Sequence, residues 1–432
     1  MDFDVRKMRE GIVITRSWEP MEFSGWQDEN LSWKEDCYIG DWSQMVEFRV
    51  TGPDAMQVFK DFAVNNFDNQ ALRQAKHIIF CNNDGMIIGE GICIKFGEND
   101  YEFQSGGPVW SWIEYNCKKG GYNVKAEKRD TKFKYQVSGP KSIFLLEKMT
   151  GRGLRDIKFM HLGEAVLEGV TVDLMRQGMA GEIGFEVQGP KEYGPMIYEA
   201  IYQAGKEFNI RRIGARTAMV NHMEACFPTV VHDYLPAVMG EAERDYFETY
   251  KEKLSGFDRF FKISGSYEAP EVSGWYHNPY ELGWSNRVNF KHDFYGKAAL
   301  EKIAAAPARR IVSLVWNPED VIDIVSSMFR NEEEPYDFME LPRTQWYSCN
   351  VHKIMDGDKL IGMASNRCFS YYFRQTISHG VIDLAYAEPG TEVTVVWGEP
   401  GHRQKTVRAT VAPAPFKQDN RYTDLEKIAV TQ

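Results

Sequence analysis

One corner is spelled three times in this chain: "EFRVTGPDAM" at 47–56, "YQVSGPKSIF" at 135–144 and "FEVQGPKEYG" at 185–194. Each copy reads as a strand, a turn and a helix with proline at its first position. Proline lacks the N–H that would be unsatisfied there, and its fixed φ suits a first helical turn. Helical spacing follows each copy: Ala55, Met56, Phe59 and Phe62 after the first, Ile143, Leu145, Leu146 and Met149 after the second, Tyr193, Ile197, Tyr198 and Ile201 after the third. Such a chain is committed to mixed α and β structure, and the corners are scaffold.

The length of 432 residues predicts two to four domains. A net charge of −11 argues against a nucleic-acid binder, which needs a basic face to displace counterions from phosphate. No apolar run approaches the roughly eighteen residues of a membrane span, and "MDFDVRKMREG" has no signal-peptide core, so a cytoplasmic protein without a membrane partner is expected. The seven cysteines include no C-x-x-C pair and suit reduced thiols. The nine histidines are dispersed, so no metal site is expected. There is neither a Walker A loop nor a G-x-G-x-x-G, which leaves nucleotide hydrolysis and dinucleotide redox chemistry without support.

Along the chain, Trp18, Trp26 and Trp33 lie in a lead-in expected to cover the body. "HIIFCNNDGMIIGEGICIKFGENDYEFQS" from 77 reads as a meander turning at "NNDG" and "GEND". "GPVWSWIEYNCKKGG" reads as a helix stopped by Gly120 and Gly121. A helix is predicted from near Arg211 to Pro228. "AAAPARR" at 304–310 suits a linker, and short strands from 308 onward predict an all-β C-terminal domain. "NEEEPYD" at 331–337 reads as a solvated loop.

Three stretches resemble the aminomethyltransferases, the folate-binding T-proteins of glycine cleavage: "GEIGFEVQGP" at 181–190, "IGARTAMVNHMEACF" at 213–227 and "ELGWSNRVNFKHDFYGKAAL" at 281–300. The C-terminal "VWGEPGHRQKTVRATVAP" is most similar to the branch of tetrahydrofolate-dependent aryl O-demethylases, the vanillate and syringate type. The resemblance covers roughly residues 20–415. It implies a three-domain α+β fold in which two ferredoxin-like or related units and a C-terminal β-barrel surround a central folate. The expected units are 1–60 with 131–250, 61–130 with 251–303, and 308–432. The implied reaction moves a methyl group from a methoxylated aromatic to N5 of tetrahydrofolate. The alternatives are glycine-cleavage aminomethyl transfer and a non-catalytic folate-binding module. The partners implied are tetrahydrofolate and a small methyl donor.

The same resemblance assigns residues. Glu224 matches the pterin-binding glutamate, and Glu186 a second position near the folate. Arg176 and Gln177 could contact the cofactor or close a strand end. Glu90 stands where the family carries an aspartate near the reacting nitrogen, and an acid among apolar neighbours can hold a proton for transfer. Trp42 and Gln44 fall at substrate-contacting positions of the demethylases, with Gln44 where a histidine is expected. Gly106 occupies the place of the arginine that would meet a substrate carboxylate. Met239 occupies that of a tyrosine near the ether oxygen, for which Tyr234 is the nearest replacement and the expected proton donor. A neutral methoxyphenol is therefore the expected donor, because a buried carboxylate needs a cation.

Overall fold

A computed structural model describes residues 20–106, 108–250, 262–342 and 348–428. Trp18 and Gly107 lie outside them. The first unit is built on a six-stranded sheet. Its strands are β1 (Cys37–Asp41), β7 (Lys132–Ser138), β8 (Leu162–Leu167), β9 (Val170–Arg176), β10 (Gly184–Pro190) and β11 (Ile210–Arg212), in the order β11-β1-β7-β10-β9-β8. The second has β2 (Val46–Thr51), β3 (Ala75–Cys81), β4 (Ile87–Gly97), β5 (Asp100–Ser105) and β6 (Lys125–Arg129), in the order β3-β4-β5-β2-β6. The third is a closed six-stranded barrel of β13 (Arg309–Trp316), β14 (Ser348–Asp356), β15 (Lys359–Ser370), β16 (Gln375–Asp383), β17 (Glu392–Trp397) and β18 (Lys405–Ala412). Pairing of β14 with β17 closes the ring, and β12 (Lys262–Ser264) adds to β14 from outside. Closure leaves the barrel without an exposed edge. The fold is thus α+β with a C-terminal barrel. Val46–Thr51 pairs with the second sheet although it falls in the expected span 1–60, and Lys262–Ser264 pairs with the barrel although it falls in 251–303.

The first two corners are structural equivalents, one in each α+β unit. Gly52 and Gly139 have φ of 128° and 124°, and a Cβ on either would lie 2.6 Å from a backbone oxygen, of Asn123 and Asp36 respectively. Only glycine fits both the dihedral and the space. The helices start later than the prolines, at Ala55 and Ser142, so Pro53 and Pro140 occupy the turn and not the first helical position. The third copy departs further: Pro190 ends β10 opposite Lys132, and a short 3₁₀ turn precedes the helix from Gly194. Proline does lead a helix at Pro318, where the Asn317 side chain accepts from the N–H groups of Glu319 and Asp320.

The meander forms as read, with turns at Asn82–Gly85 and Gly97–Asp100. The helix expected from Arg211 instead begins at Ala215, after a strand that pairs parallel with β1, and ends at Glu224. Cys226, with φ of 48°, turns the chain before Pro228 is reached. Most of the expected linker at 304–310 is regular structure: a helix runs through Lys297–Ala305 and β13 starts at Arg309. The barrel and the second sheet share one apolar cluster, in which Cys349, Val351 and Met363 pack with Phe80, Phe103 and Trp275. That continuous packing fixes the barrel against the second unit.

Candidate functional site

All three units contribute to a central cavity of about 580 Å3. The second sheet supplies Lys76, His77 and Ile92, the first Gln177, and the barrel Ile311. The turn after the helix Ala215–Glu224 adds Cys226 and Phe227. The volume suits a drug-sized ligand.

His77 lines the cavity, and its Nε2 lies 2.8 Å from Oε2 of Glu90, which does not itself line it. The pairing follows from the hairpin. His77 is five residues before the "NNDG" loop and Glu90 five after it, and the bulge at Phe80/Cys81 makes them diagonal neighbours on one face. Trp284 meets the His77 ring edge-on at 5.1 Å, and Phe227 lies 6.4 Å away. An imidazole and a carboxyl sharing a proton, backed by flat aromatic surfaces, can exchange that proton with a bound molecule.

Of the four residues expected at the cofactor, Gln177 lines the cavity. Its amide donates to Gln136 Oε1 at 2.7 Å and to Glu186 Oε2 at 3.2 Å. Glu186 sits behind it, also bonded by Gln188 at 2.6 Å, and burial pushes its carboxyl up against the pull of Lys134. Gln188 continues to Gln104 of the second sheet at 3.2 Å, so this polar chain ties the two sheets together. Arg176 does not reach the cavity lining; its guanidinium donates to the carbonyls of Ile157 and Thr423.

Glu224 is also elsewhere. Fully buried, it accepts from Asn30 Nδ2 (3.2 Å), Trp33 Nε1 (3.0 Å) and Ser370 Oγ (2.6 Å), and it pairs with the Lys34 ammonium. Four donors fill a carboxylate's acceptor sites, and they come from the helix Trp26–Glu35 and from the barrel. Burial pulls Lys34 down to about 8 even beside Glu224. The lead-in helix and barrel thus meet on this carboxylate.

Tyr234 is fully buried with an unpartnered hydroxyl, in an apolar cluster with Leu282 and Trp284 behind the cavity wall. Burial, then Glu90 and Asp233, push its phenol well above the usual range. Met239 packs in the shared apolar cluster. Neither lines the cavity, and nor do Trp42 and Gln44. Trp42 Nε1 and Gln44 Oε1 are buried without hydrogen-bond partners, with the His222 ring 6.2 Å from Trp42. A Cβ added at Gly106 would meet nothing within 4 Å. Ser105 Oγ, one residue earlier, donates to the Glu90 carbonyl at 2.6 Å.

Sequence reading missed His77, Arg287 and Arg421, all of which line the cavity. For His77 a signal existed, the loop-symmetric spacing from Glu90. Arg287 comes from the "ELGWSNR" motif, and its Nε is buried without a partner. Among the described residues no cluster of His, Cys, Asp and Glu could hold a metal, and no helix is long and apolar enough to cross a membrane.

Two α+β lobes and a barrel surround a cavity lined by a histidine that is hydrogen-bonded to a carboxylate, an arrangement suited to the transfer of a small group. The N-terminal domain model of the GCVT family matches residues 8–239, more than half of the chain, and the protein belongs to that family. It is 33% identical to the sesamin methylene transferase of Sinomonas sp. strain No.22, over 94% of this chain and 91% of that one. It is 29% identical to the syringate O-demethylase of Sphingobium sp. strain SYK-6, over 92% and 89%. The aminomethyltransferase T of Bartonella henselae shares the fold, with a TM-score of 0.68 at 17% identity over 96% and 97% of the two chains. The protein is accordingly a one-carbon transferase of the tetrahydrofolate-dependent kind. The cavity fits that cofactor: Arg287 leaves a buried donor unmatched, and Lys76 and Arg421 add cationic surface suited to the carboxylates of the folate tail.

Proposed function

We propose that the protein removes a methyl group from a neutral methoxylated aromatic, delivering it to tetrahydrofolate and releasing a phenol. The observation that carries this reading is the 2.8 Å contact between Glu90 and His77, the member of the pair that lines the cavity. Breaking an aryl–O–CH3 bond leaves an aryl oxide, a poor leaving group that needs a proton as the carbon–oxygen bond parts. Tetrahydrofolate supplies the nucleophilic N5 that takes the one-carbon unit. Glu90 and His77 hold the proton for the departing oxygen, and Phe227 and Trp284 offer flat surfaces for an aromatic ring. Gly106 stands in the place of the expected cation and opens on empty space, which favours a donor without a carboxylate.

A second reading is methylene transfer from an aryl methylenedioxy group, favoured by the 33% identity to the sesamin methylene transferase across nearly the whole chain. The same proton pair serves it, since aryl oxides again depart.

The test incubates the protein and tetrahydrofolate with guaiacol, vanillate and 1,2-methylenedioxybenzene. 5-Methyltetrahydrofolate and catechol from guaiacol, with a higher kcat/KM than for vanillate, is expected. 5,10-Methylenetetrahydrofolate from the methylenedioxy compound alone would establish the second reading. A preference for vanillate would overturn the neutral-donor assignment, and no product from any donor would overturn both readings.

A further inference from the structure

After β18 the chain leaves the barrel, runs past the cavity and docks on the first unit. We propose that this C-terminal segment, residues 413–428, is a strap that completes the folate site and holds the acidic aminobenzoyl-glutamate half of tetrahydrofolate. Ala414, Pro415, Arg421 and Tyr422, all from the strap, line the cavity.

The strap is tied along its length to groups of the body. The Lys417 N–H donates to the Glu224 carbonyl at 2.8 Å. The Lys417 ammonium, buried, donates to the Gly181 carbonyl at 3.0 Å and pairs with the Glu182 carboxylate. Asn420 reaches the same two groups, its N–H donating to Gly181 O at 2.9 Å and its side-chain amide to Glu182 at 2.5 Å. Further on, Arg176 donates to the Thr423 carbonyl at 2.6 Å and Arg155 to the Leu425 carbonyl at 3.0 Å. Leu425 is itself buried in the apolar core of the first unit. Ordering so long a terminal segment costs conformational entropy, and these bonds with the buried leucine offset it. Arg176 therefore serves the cavity as a positioning residue, through the strap.

Between the ties, two side chains are presented to the cavity. Arg421 donates from Nε and Nη2 to the two oxygens of Asp419, at 2.8 and 2.7 Å. That two-point clamp fixes the plane of the guanidinium and leaves Nη1 for a second anion. Tyr422 is 58% exposed, and its ring meets that of Phe159, which also lines the cavity, at 4.6 Å. The two rings give a flat aminobenzoyl group a surface to lie on.

Charge selects the same half of the cofactor. Among the described residues that line the cavity none is an aspartate or glutamate, whereas Lys76, Arg287 and Arg421 are cations, in a chain of net charge −11. Lys76 is held by two neutral oxygens, the Asn66 carbonyl at 2.5 Å and Asn69 Oδ1 at 2.7 Å. A reduced pterin ring is uncharged at neutral pH, while the glutamate carries an α- and a γ-carboxylate, so the cations match the tail. The proposal rests on the cavity being the folate site.

The test titrates the full chain calorimetrically with tetrahydrofolate and, by competition against it, with 6-methyltetrahydropterin, which lacks the aminobenzoyl-glutamate. Arg421→Ala and Tyr422→Ala should each weaken tetrahydrofolate at least tenfold and leave the truncated pterin within twofold, and Tyr422→Phe should bind both like the parent. Glu182→Gln, which loosens the hold on Lys417 and Asn420, should weaken tetrahydrofolate at least fivefold with the same selectivity. Amide hydrogen exchange in the parent needs no variant: saturating tetrahydrofolate should slow exchange in peptides from 413–428 at least fivefold. A truncated pterin that fails to compete would show the tail to carry the binding, and the exchange then decides the strap. Equal losses for both ligands, unchanged tetrahydrofolate affinity in Arg421→Ala and Tyr422→Ala, or an unprotected strap in a parent that binds tetrahydrofolate would overturn the strap and leave the folate site standing. A parent that binds no tetrahydrofolate refutes the folate site, and the strap falls with it.

Discussion

Glu224→Gln separates a ligand-binding role from an architectural one. The substitution keeps the volume and removes the charge, leaving the Lys34 ammonium buried with no counter-charge. Lys34 is already held at about 8 by burial against Glu224, so shedding its proton at pH 7 costs on the order of 1 kcal/mol. Trp33, Asn30 and Ser370 lose a charged acceptor, which adds about 1–3 kcal/mol after partial replacement by the amide oxygen. The sum, about 2–4 kcal/mol, overlaps the ~3–5 kcal/mol for breaking a buried ion pair from one side. Urea unfolding followed by tryptophan fluorescence measures the loss, since Trp33 is in the network, and calorimetric titration of tetrahydrofolate measures binding. The reasoning expects that loss of stability, with folate affinity in the folded protein within about threefold of the parent. Unchanged stability with affinity lost tenfold or more would refute it and return Glu224 to the pterin.

Glu90→Gln should lower kcat by about 10²–10⁴ with little change in KM for the donor; a loss under threefold would remove the His77–Glu90 pair from the chemistry. Gly106→Ala should shift stability by no more than about 0.5 kcal/mol because its Cβ meets open space, whereas Gly139→Ala should cost about 1–3 kcal/mol at φ of 124° against the Asp36 carbonyl, both read from denaturant curves. The His379 imidazolium, raised from its ordinary 6.5 to about 10, contributes stability that is fully present below pH 6.5 and is lost as pH rises toward 10. Unfolding measured at pH 6.5 and 9.5 should show that decline, and His379→Gln should flatten it.

Local features were legible because local physics sets them. Glycine at 52 and 139 is demanded by the turn itself, the "NNDG" loop forces a hairpin, and barrel strands such as Glu392–Trp397 alternate buried residues with exposed or half-buried ones along a period of two. Helix starts were less legible. Pro53 and Pro140 suit a first helical turn by dihedral preference, yet each is drawn into a tight approach of its glycine to a neighbouring strand, which only pairing in the sheet creates. The helix read from Arg211 lost its first residues to a parallel pairing with β1, a contact about 170 residues away in the chain.

The site divides along the same line. By itself the sequence determined the family, the alternation of strands with helices, and the polar residues available; resemblance then offered Glu224, Glu186, Arg176 and Gln177 for one ligand. Tertiary structure decided which of them reach the cavity, placing Gln177 on the wall, Glu186 behind it, and Glu224 where a helix and the barrel meet. It also joined His379 to Asp233 across 146 residues. The physical reason is that a side chain's chemistry depends on its partners and its burial. Those are set by how three units close on one another, and no spacing along the chain encodes the distance between residues that meet only through that closure.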